Sequence, residues 1–297
     1  MKIQNVAIIY RDKTPRAKSL AKDVCEWLRS KKINVFFQKG KATHSDAKAV
    51  ETPAQIKNLH LVLVLGGDGT YLEAVRFLGD TQVPVLGINL GSLGFLTENR
   101  VDEVYEVLES ALNGKMKKEP VALMSVQIKT GQVQKFIALN DIVIERGQST
   151  HLLNIGMYWD GDLVTETKAD GMIISTPTGS TAYSFSAGGP IVWPSLDALL
   201  LVPLSPHALF ARPLVVGPDS ALAVEVLDRT QGTGVLWCDG RRTHDLPRGA
   251  RVIVRRSPVP VRLARLSQGP FTDRLVNKFS LPVYGWRGPV GEEGNRA

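Results

Sequence analysis

The chain has 297 residues, a formal net charge of +7, 43% hydrophobic and 22% charged residues, ordinary values for a globular protein with room for two domains. No apolar run approaches the roughly 18 residues that would span a bilayer, so no membrane partner is expected. Met1–Tyr10 lacks the long apolar core and cleavage site of a signal peptide, and Cys25 and Cys238 lie too far apart to form a disulfide framework; a cytoplasmic location is expected.

Val6–Tyr10 reads as a strand. Thr14-Pro15 then opens a helix, with a capping residue followed by proline at the first helical position. Ala17, Leu20, Ala21, Val24, Trp27 and Leu28 repeat at helical spacing. Ile33–Phe37 and Leu61–Leu65 are further strands, Thr70–Leu78 a helix, Pro84–Ile88 a strand and Asp102–Leu112 a helix closed by Gly114. Strand–helix alternation implies a parallel sheet with helices on its faces, and ligands of such sheets bind beyond the carboxyl ends of the strands. Gly66–Thr70 and Asn89–Phe95 both fall at such ends.

From about Val121 the texture changes to short β-type segments separated by turn signals. They are Ser125–Lys129, Phe136–Glu145, Leu153–Trp159, Met172–Ser175, Ala221–Leu227, Val235–Cys238, Arg251–Arg255 and Val261–Leu266. Asp160-Gly161 is a strong hairpin turn. The expected fold is an α/β domain with a parallel sheet over 1–120, followed by a mainly antiparallel, sandwich-like β domain over 121–266, whose apolar stretches Ile191-Val192-Trp193 and Leu199–Leu204 are read as able to pack against a partner. A C-terminal segment, 267–290, packs back on the first domain, and the polar Gly288–Ala297 is frayed.

Residues 61–70 read Leu-Val-Leu-Val-Leu-Gly-Gly-Asp-Gly-Thr. An apolar strand, a glycine turn and a helix in that order make an anion-binding corner: glycine lets backbone N–H groups approach phosphate oxygens, and the helix presents its positive end. An ordinary tight turn would need neither the third glycine nor the acid. Asp68 repels phosphate, so it makes sense as a cation ligand or as the acceptor of a proton from a nucleophile attacking that phosphate. The corner points to phosphoryl transfer. It is not a Walker A loop, because no Gly-Lys-Ser/Thr follows, and Gly87, Gly91 and Gly94 have the wrong spacing for the dinucleotide fingerprint.

The second dense segment is 169–194, Ala-Asp-Gly-Met-Ile-Ile-Ser-Thr-Pro-Thr-Gly-Ser-Thr-Ala-Tyr-Ser-Phe-Ser-Ala-Gly-Gly-Pro-Ile-Val-Trp-Pro. A flexible linker rarely carries Ile, Tyr and Phe among such stops. Short hydroxyl side chains and exposed amides suit a ligand rich in hydroxyl and phosphate groups, and Tyr183 is placed to stack on a base.

Together these segments resemble a bacterial NAD kinase of the ATP/polyphosphate-dependent family. Gly66-Gly67-Asp68-Gly69-Thr70 matches its glycine–aspartate signature, Asn89-Leu90-Gly91-Ser92-Leu93-Gly94-Phe95-Leu96 its second loop, and Leu139-Asn140-Asp141 its Asn-Glu motif with Asp where Glu is usual. Asp170-Gly171 through Pro190 matches its long threonine/serine-rich motif almost residue by residue. The resemblance implies transfer of the terminal phosphate of ATP to the 2′-hydroxyl of the adenosine ribose of NAD, giving NADP, with a divalent cation (Mg²⁺) and a homodimer or homotetramer. It implies Asp68 as proton acceptor and Gly66, Gly67, Gly69 and Thr70 as the phosphate loop. Asp68, Gly69, Phe95, Asn140 and Asp141 would line the acceptor site. Thr181, Ala182, Tyr183, Ser184, Phe185 and Ser186 would hold the adenosine end and Asp170 the nicotinamide side. His151, Lys168 and Arg241 match further dinucleotide positions, Arg241 standing where Gln is frequent. No His/Cys cluster has metal-ligand spacing, so the cation is expected to arrive with ATP.

Two other readings remain open on the residues. A lipid kinase shares the glycine–aspartate corner but needs an apolar acceptor pocket, where Thr176–Ser186 is polar. A non-catalytic polyanion binder would use the eight arginines that stand against one acid, Asp245, between Arg241 and Arg265. No aromatic residues alternate with them in a stacking pattern. Most are read as solvated arginines on the outer face of a sheet, and no nucleic-acid partner is expected.

Overall fold

The computed structural model describes residues 2–40, 48–91, 94–148, 150–208, 211–266 and 269–282. The chain divides into two compact units, Met1–Glu119 with Arg262–Ala297, and Pro120–Val261.

The first unit is built on one sheet in the order Lys48–Val50, Asn34–Gln38, Asn5–Tyr10, Leu61–Leu65, Pro84–Asn89, Val261–Arg265, Lys117–Val121, with the short Asn99–Arg100 also paired to Pro84–Asn89. From Lys48–Val50 through Val261–Arg265 every pairing is parallel. Leu61–Leu65 lies near the middle, and all five of its side chains are buried. Successive residues of a strand face opposite ways. Leu61, Leu63 and Leu65 pack with Val24 and Leu28 of the helix Pro15–Ser30 and with Val107 and Leu108 of the helix Val104–Leu112. Val62 and Val64 turn the other way, and the helix Asp68–Leu78 packs on the same strand. Apolar residues at every position thus reflect a strand covered on both faces.

The proline-opened helix forms as expected, over Pro15–Ser30 with Thr14 at the cap position. Two other helices begin elsewhere. Asp68, expected in the turn, is the first helical residue, and a 3₁₀ turn Val101–Glu103 precedes Val104–Leu112. The C-terminal segment contains a helix, Phe271–Phe279, that periodicity did not reveal. Phe271 and Phe279 lie 5.9 and 6.0 Å from the ring of Phe95. Gly288–Ala297 lies outside the described residues.

The second unit holds two six-stranded sheets. One runs Leu214–Val216, Leu199–Leu204, Gly171–Ser175, Asp141–Arg146, Gly234–Cys238, Arg242–Leu246; the other runs Asp162–Ala169, Leu153–Trp159, Leu222–Val226, Arg251–Arg256, Met124–Thr130, Gln132–Ala138. All pairings are antiparallel. Ile142, Ile144, Ile174 and Leu236 of the first sheet share one core with Val126, Ile155, Val224 and Val252 of the second, which is the packing of a sandwich. The Asp160-Gly161 turn is present, with φ of 52° and 102°, as a two-residue hairpin demands.

Three expectations need correction. Phe136–Glu145 is not one strand: it breaks at Leu139-Asn140 into Gln132–Ala138 and Asp141–Arg146, which belong to different sheets. Leu199–Leu204, read as an apolar stretch able to meet a partner, is an inner strand whose Leu199, Leu200, Leu201 and Val202 are buried. Four of the eight arginines of 241–265 are ion-paired. Arg242 meets Asp239, Arg251 meets Glu225, Arg256 meets Asp197, and Arg265 meets Glu98 and Glu119. Arg265 is buried rather than solvated, its side chain only 9% exposed.

Candidate active site

The glycine corner is formed where Leu61–Leu65 ends beside Pro84–Asn89. Gly66 continues the ladder by donating its N–H to the carbonyl of Ile88 at 3.0 Å. It must be glycine, because a Cβ there would stand 2.4 Å from Thr70 Oγ1. Gly67 is different. A Cβ there would meet nothing within 4 Å, so packing does not require glycine, and the bare backbone suits close approach by a ligand. Thr70, named for the phosphate loop, is buried with its hydroxyl under Gly66 and does not open on the surface.

Asp68 starts the helix, where its charge is stabilised by the positive end. Its carboxylate is also clasped by the chain beyond Pro84–Asn89. Oδ2 accepts the N–H of Phe95 at 2.9 Å, while Oδ1 accepts the N–H groups of Leu96 and Thr97 and the hydroxyl of Thr97, at 3.1, 3.1 and 3.0 Å. Gly94 makes this approach possible, since a Cβ there would lie 2.0 Å from Oδ1. Further along the same turn the N–H groups of Thr70 and Tyr71 donate to the carbonyl of Gly67, at 2.9 and 3.2 Å. Ser92 and Leu93 of the second loop lie outside the described residues. Near the same strand ends a cavity of about 600 Å³ is lined by Arg16, Asn89, Leu90, Gly91, Arg100 and Asn277. Sequence reasoning missed both arginines because they belong to no glycine-rich motif.

In the second unit, three neighbouring strands bring their ends together. Asp141 stands opposite Ser175, and Ile142 opposite Cys238. Asn140, Asp141, Thr176 and Asp239 therefore gather at one corner. Asp239 accepts the N–H of Asn140 at 2.8 Å and that of Leu139 at 3.1 Å, and its own N–H donates to the carbonyl of Asp141. Thr176 Oγ1 donates to the carbonyl of Leu139 at 2.6 Å and accepts the N–H of Gly179. Gly179 packs so closely on Asn140 that a Cβ would fall 1.9 Å from its carbonyl oxygen. This draws the 3₁₀ turn Thr178–Thr181 and the short helix Tyr183–Ser186 over the corner. The N–H of Tyr183 donates to the Asp141 carboxyl. Burial, and then the charge of Asp239, push that carboxyl up to about 7. Burial also raises Asp239, against the amides of Asn140 and Leu139 and the charge of Arg242.

Both units match one family of proteins. Residues 6–116 match the ATP-NAD kinase N-terminal domain, and residues 139–266 match the ATP-NAD kinase C-terminal domain. The chain belongs to the NAD kinase family. It is 55% identical over 237 residues to an NAD kinase of Leifsonia xyli, a match covering 79% of this chain and 78% of that protein. It is 52% identical over 239 residues to NAD kinase 2 of Streptomyces coelicolor, covering 80% and 79%. Among solved structures, yeast NADH kinase complexed with NADH superposes with a TM-score of 0.84 at 28% identity, over all of this chain and 91% of that one. An NAD kinase from Archaeoglobus fulgidus shares the fold, with a TM-score of 0.72 at 23% identity over 94% of this chain and 100% of that one.

The residues that the family motifs nominate in the second unit separate into groups. Asn140, Asp141, Thr181, Ala182 and Tyr183 converge as described. Tyr183 is 43% exposed, and its hydroxyl donates to Glu145 at 3.3 Å. Phe185 and Ser186 are exposed on the same short helix, but Ser184 is wholly buried, packed so tightly against Gly189 that a Cβ there would lie 2.5 Å from its hydroxyl. Asp170 is paired with Arg146 at 2.8 Å. His151 and Lys168 line another cavity, of about 560 Å³, with Asn154, Arg229 and Gln231. Arg241 is exposed on the turn after Asp239. Asp239 lies in the stretch Cys238-Asp239-Gly240-Arg241, where the family resemblance drew attention to Arg241 and gave Asp239 no role.

The family resemblance implies a divalent cation. Among the described residues no group of three or more His, Cys, Asp or Glu could hold one. Asp68, the acid of the glycine corner, already accepts four donors.

Proposed function

We propose that this chain transfers the terminal phosphate of ATP to the 2′-hydroxyl of the adenosine ribose of NAD, giving NADP, with Asp68 as the proton acceptor. The observation that carries the reading is the uneven loading of Asp68. Oδ1 accepts three donors and Oδ2 one, which leaves Oδ2 lone-pair capacity for the proton of an attacking hydroxyl. As that proton moves to Oδ2, the ribose oxygen bonds to the terminal phosphorus and the bond to the bridging oxygen of ADP breaks. Catalysis of this kind rests on positioning and on neutralising phosphate charge. Arg16 and the bare backbone of Gly67 support donor binding in the first unit, with Arg100, which is paired to Asp102 at 3.3 Å, on the same cavity. Mg²⁺ enters with ATP as part of the substrate, held by phosphate oxygens.

Acceptor recognition falls to the second unit: Asn140 and Asp141 for ribose hydroxyls, Thr181, Ala182 and Tyr183 for the adenosine end. Asp141 is one methylene shorter than the Glu usual in the family. Gly179 lets the turn Thr178–Thr181 pack on the backbone of Asn140 beside it.

The reading is tested by incubating purified protein with NAD, Mg²⁺ and either ATP or inorganic polyphosphate. NADP should form, and loss of product with Asp68→Asn should accompany it. No NADP from either donor, with phosphorylation of a lipid instead, would establish the lipid-kinase alternative.

We further infer a homodimer or homotetramer acting in the cytosol. Trp193, Leu196 and Phe185 are 44%, 57% and 40% exposed on the second unit, an apolar display that suits a partner copy. Cys25 and Cys238 are free and buried, and no helix of the described residues is long and apolar enough to cross a membrane. A fully active monomer by light scattering at assay concentration would remove the oligomer from the reading.

A further inference from the structure

The chain that clasps Asp68 contains a buried hydroxyl whose direction is fixed. Thr97 is fully buried. Its Oγ1 donates to Asp68 Oδ1 at 3.0 Å and accepts from Asn89 Nδ2 at 2.9 Å. Asn89 also donates to the carbonyl of Thr97 at 3.1 Å, and its Oδ1 accepts the N–H of Gly91 at 2.7 Å. With an amide hydrogen of Asn89 occupying one lone pair, the Thr97 hydroxyl has its proton aimed at the carboxylate. The methyl group packs so closely on Gly87 that a Cβ there would stand 2.8 Å from it. Packing alone would be served by valine, which has the same shape. The hydroxyl is the part that packing does not explain.

We propose that Thr97 is a positioning residue for the phosphoryl transfer: held by Asn89, its hydroxyl loads Asp68 Oδ1 and so reserves Oδ2 for the proton of the attacking hydroxyl. The proposal rests on Asp68 being the proton acceptor. Two further contacts keep Thr97 in place. Its neighbour Glu98 is bonded by Arg265 and by Arg274 Nη1, the latter at 2.7 Å. On the other side Phe95 is wedged between Phe271 and Phe279. The loop is therefore clamped at 95 and at 98, and Thr97 delivers its hydroxyl between the clamps. Thr97 touches no reacting atom; it acts through Asp68.

The experiment measures kcat, KM and melting temperature for Thr97→Val, Thr97→Ser, Asp68→Asn and the Thr97→Val/Asp68→Asn pair. Losing a hydrogen bond to a charged group predicts a kcat lower by about 10- to 100-fold in Thr97→Val. KM for NAD and for ATP should stay within about threefold of the parent, because no binding contact is removed. Thr97→Ser restores the hydroxyl and should recover most of the turnover. In the Asp68→Asn background Thr97→Val should add no further loss, because the group it serves is gone. Parental turnover in Thr97→Val beside a crippled Asp68→Asn would overturn the role of Thr97 while leaving Asp68 in place. Near-normal turnover in Asp68→Asn would instead overturn the reading of Asp68 itself. Equal losses in Thr97→Val and Thr97→Ser with a lowered melting temperature, or additive losses in the pair, would reduce Thr97 to a packing residue.

Discussion

Asp141 and Asp239 meet at the ends of adjacent strands, where the amide of Asp239 donates to the carbonyl of Asp141 at 2.9 Å. Burial and the charge of Asp239 raise the Asp141 carboxyl from 3.8 to about 7. An acid whose folded value lies above its unfolded value favours the folded state fully only below about pH 4. That contribution is then lost as pH rises through about 7. The full shift corresponds to about 4 kcal/mol. Asp141→Asn removes the titration and keeps the shape. The stability of the variant relative to the parent, read by urea unfolding, should therefore rise between pH 5 and pH 8. A pH-independent difference would show that Asp141 does not titrate in this window.

The same carboxyl bears on substrate affinity. Ionised, it accepts hydrogen bonds from ribose hydroxyls, and protonated it offers fewer acceptors. KM for NAD should fall as pH rises through about 7 in the parent and stay level in Asp141→Asn. Parallel profiles would separate Asp141 from acceptor binding.

Asp68→Asn keeps the helix start but removes the proton acceptor. Turnover should drop about 10²- to 10⁴-fold while KM for NAD moves much less. Turnover near the parent value would take Asp68 out of the chemistry.

Gly94→Ala would place a methyl group 2.0 Å from Asp68 Oδ1. Either the carboxylate or the clasping loop must shift, and a misplaced catalytic group of this kind costs about 100-fold. Full activity in Gly94→Ala would mean that the clasp is not needed during turnover.

Tyr183→Ala should raise KM for NAD several-fold, since stacking on a base is worth about 1–3 kcal/mol. The melting temperature should hardly move, because the side chain is 43% exposed and its hydroxyl makes an exposed hydrogen bond to Glu145. Tyr183→Phe should keep most of the affinity. A sharp loss of melting temperature with KM unchanged would return Tyr183 to a structural role.

Much of the architecture was written in local patterns. The proline-opened helix, the apolar run ending in glycines and the Asp160-Gly161 turn each depend on neighbours in sequence, and each was read correctly. What was missed depends on residues far apart. The break at Leu139-Asn140 is enforced by the carboxylate of Asp239, about a hundred residues on, so Phe136–Glu145 looked continuous. Leu199–Leu204 looked like a sticky surface because nothing nearby says which strands flank it. Asp162–Ala169 escaped notice because it is largely exposed, with polar and apolar residues mixed. At the candidate site the motif residues were visible, Asn89 among them, but Thr97 and Asp239, which hold Asp68 and Asn140, were not singled out.

The strand Val261–Arg265 fills the place beside Pro84–Asn89, pairing Arg262 with Pro84 and Leu263 with Val85. A nascent chain therefore emerges with its first sheet unfinished: Asn99–Arg100 can pair with Ile88 and Asn89, but Pro84 and Val85 lack their partners while the whole second unit is being synthesised. The two rings that flank Phe95 and the arginines that grip Glu98 arrive later still, with 265–279. Asp68 is thus among the earlier residues made and among the last to be set. Synthesis must pass residue 279 before the glycine corner is armed, and a chain truncated ahead of Phe271 would keep every signature motif yet lack the clamp that makes them work together.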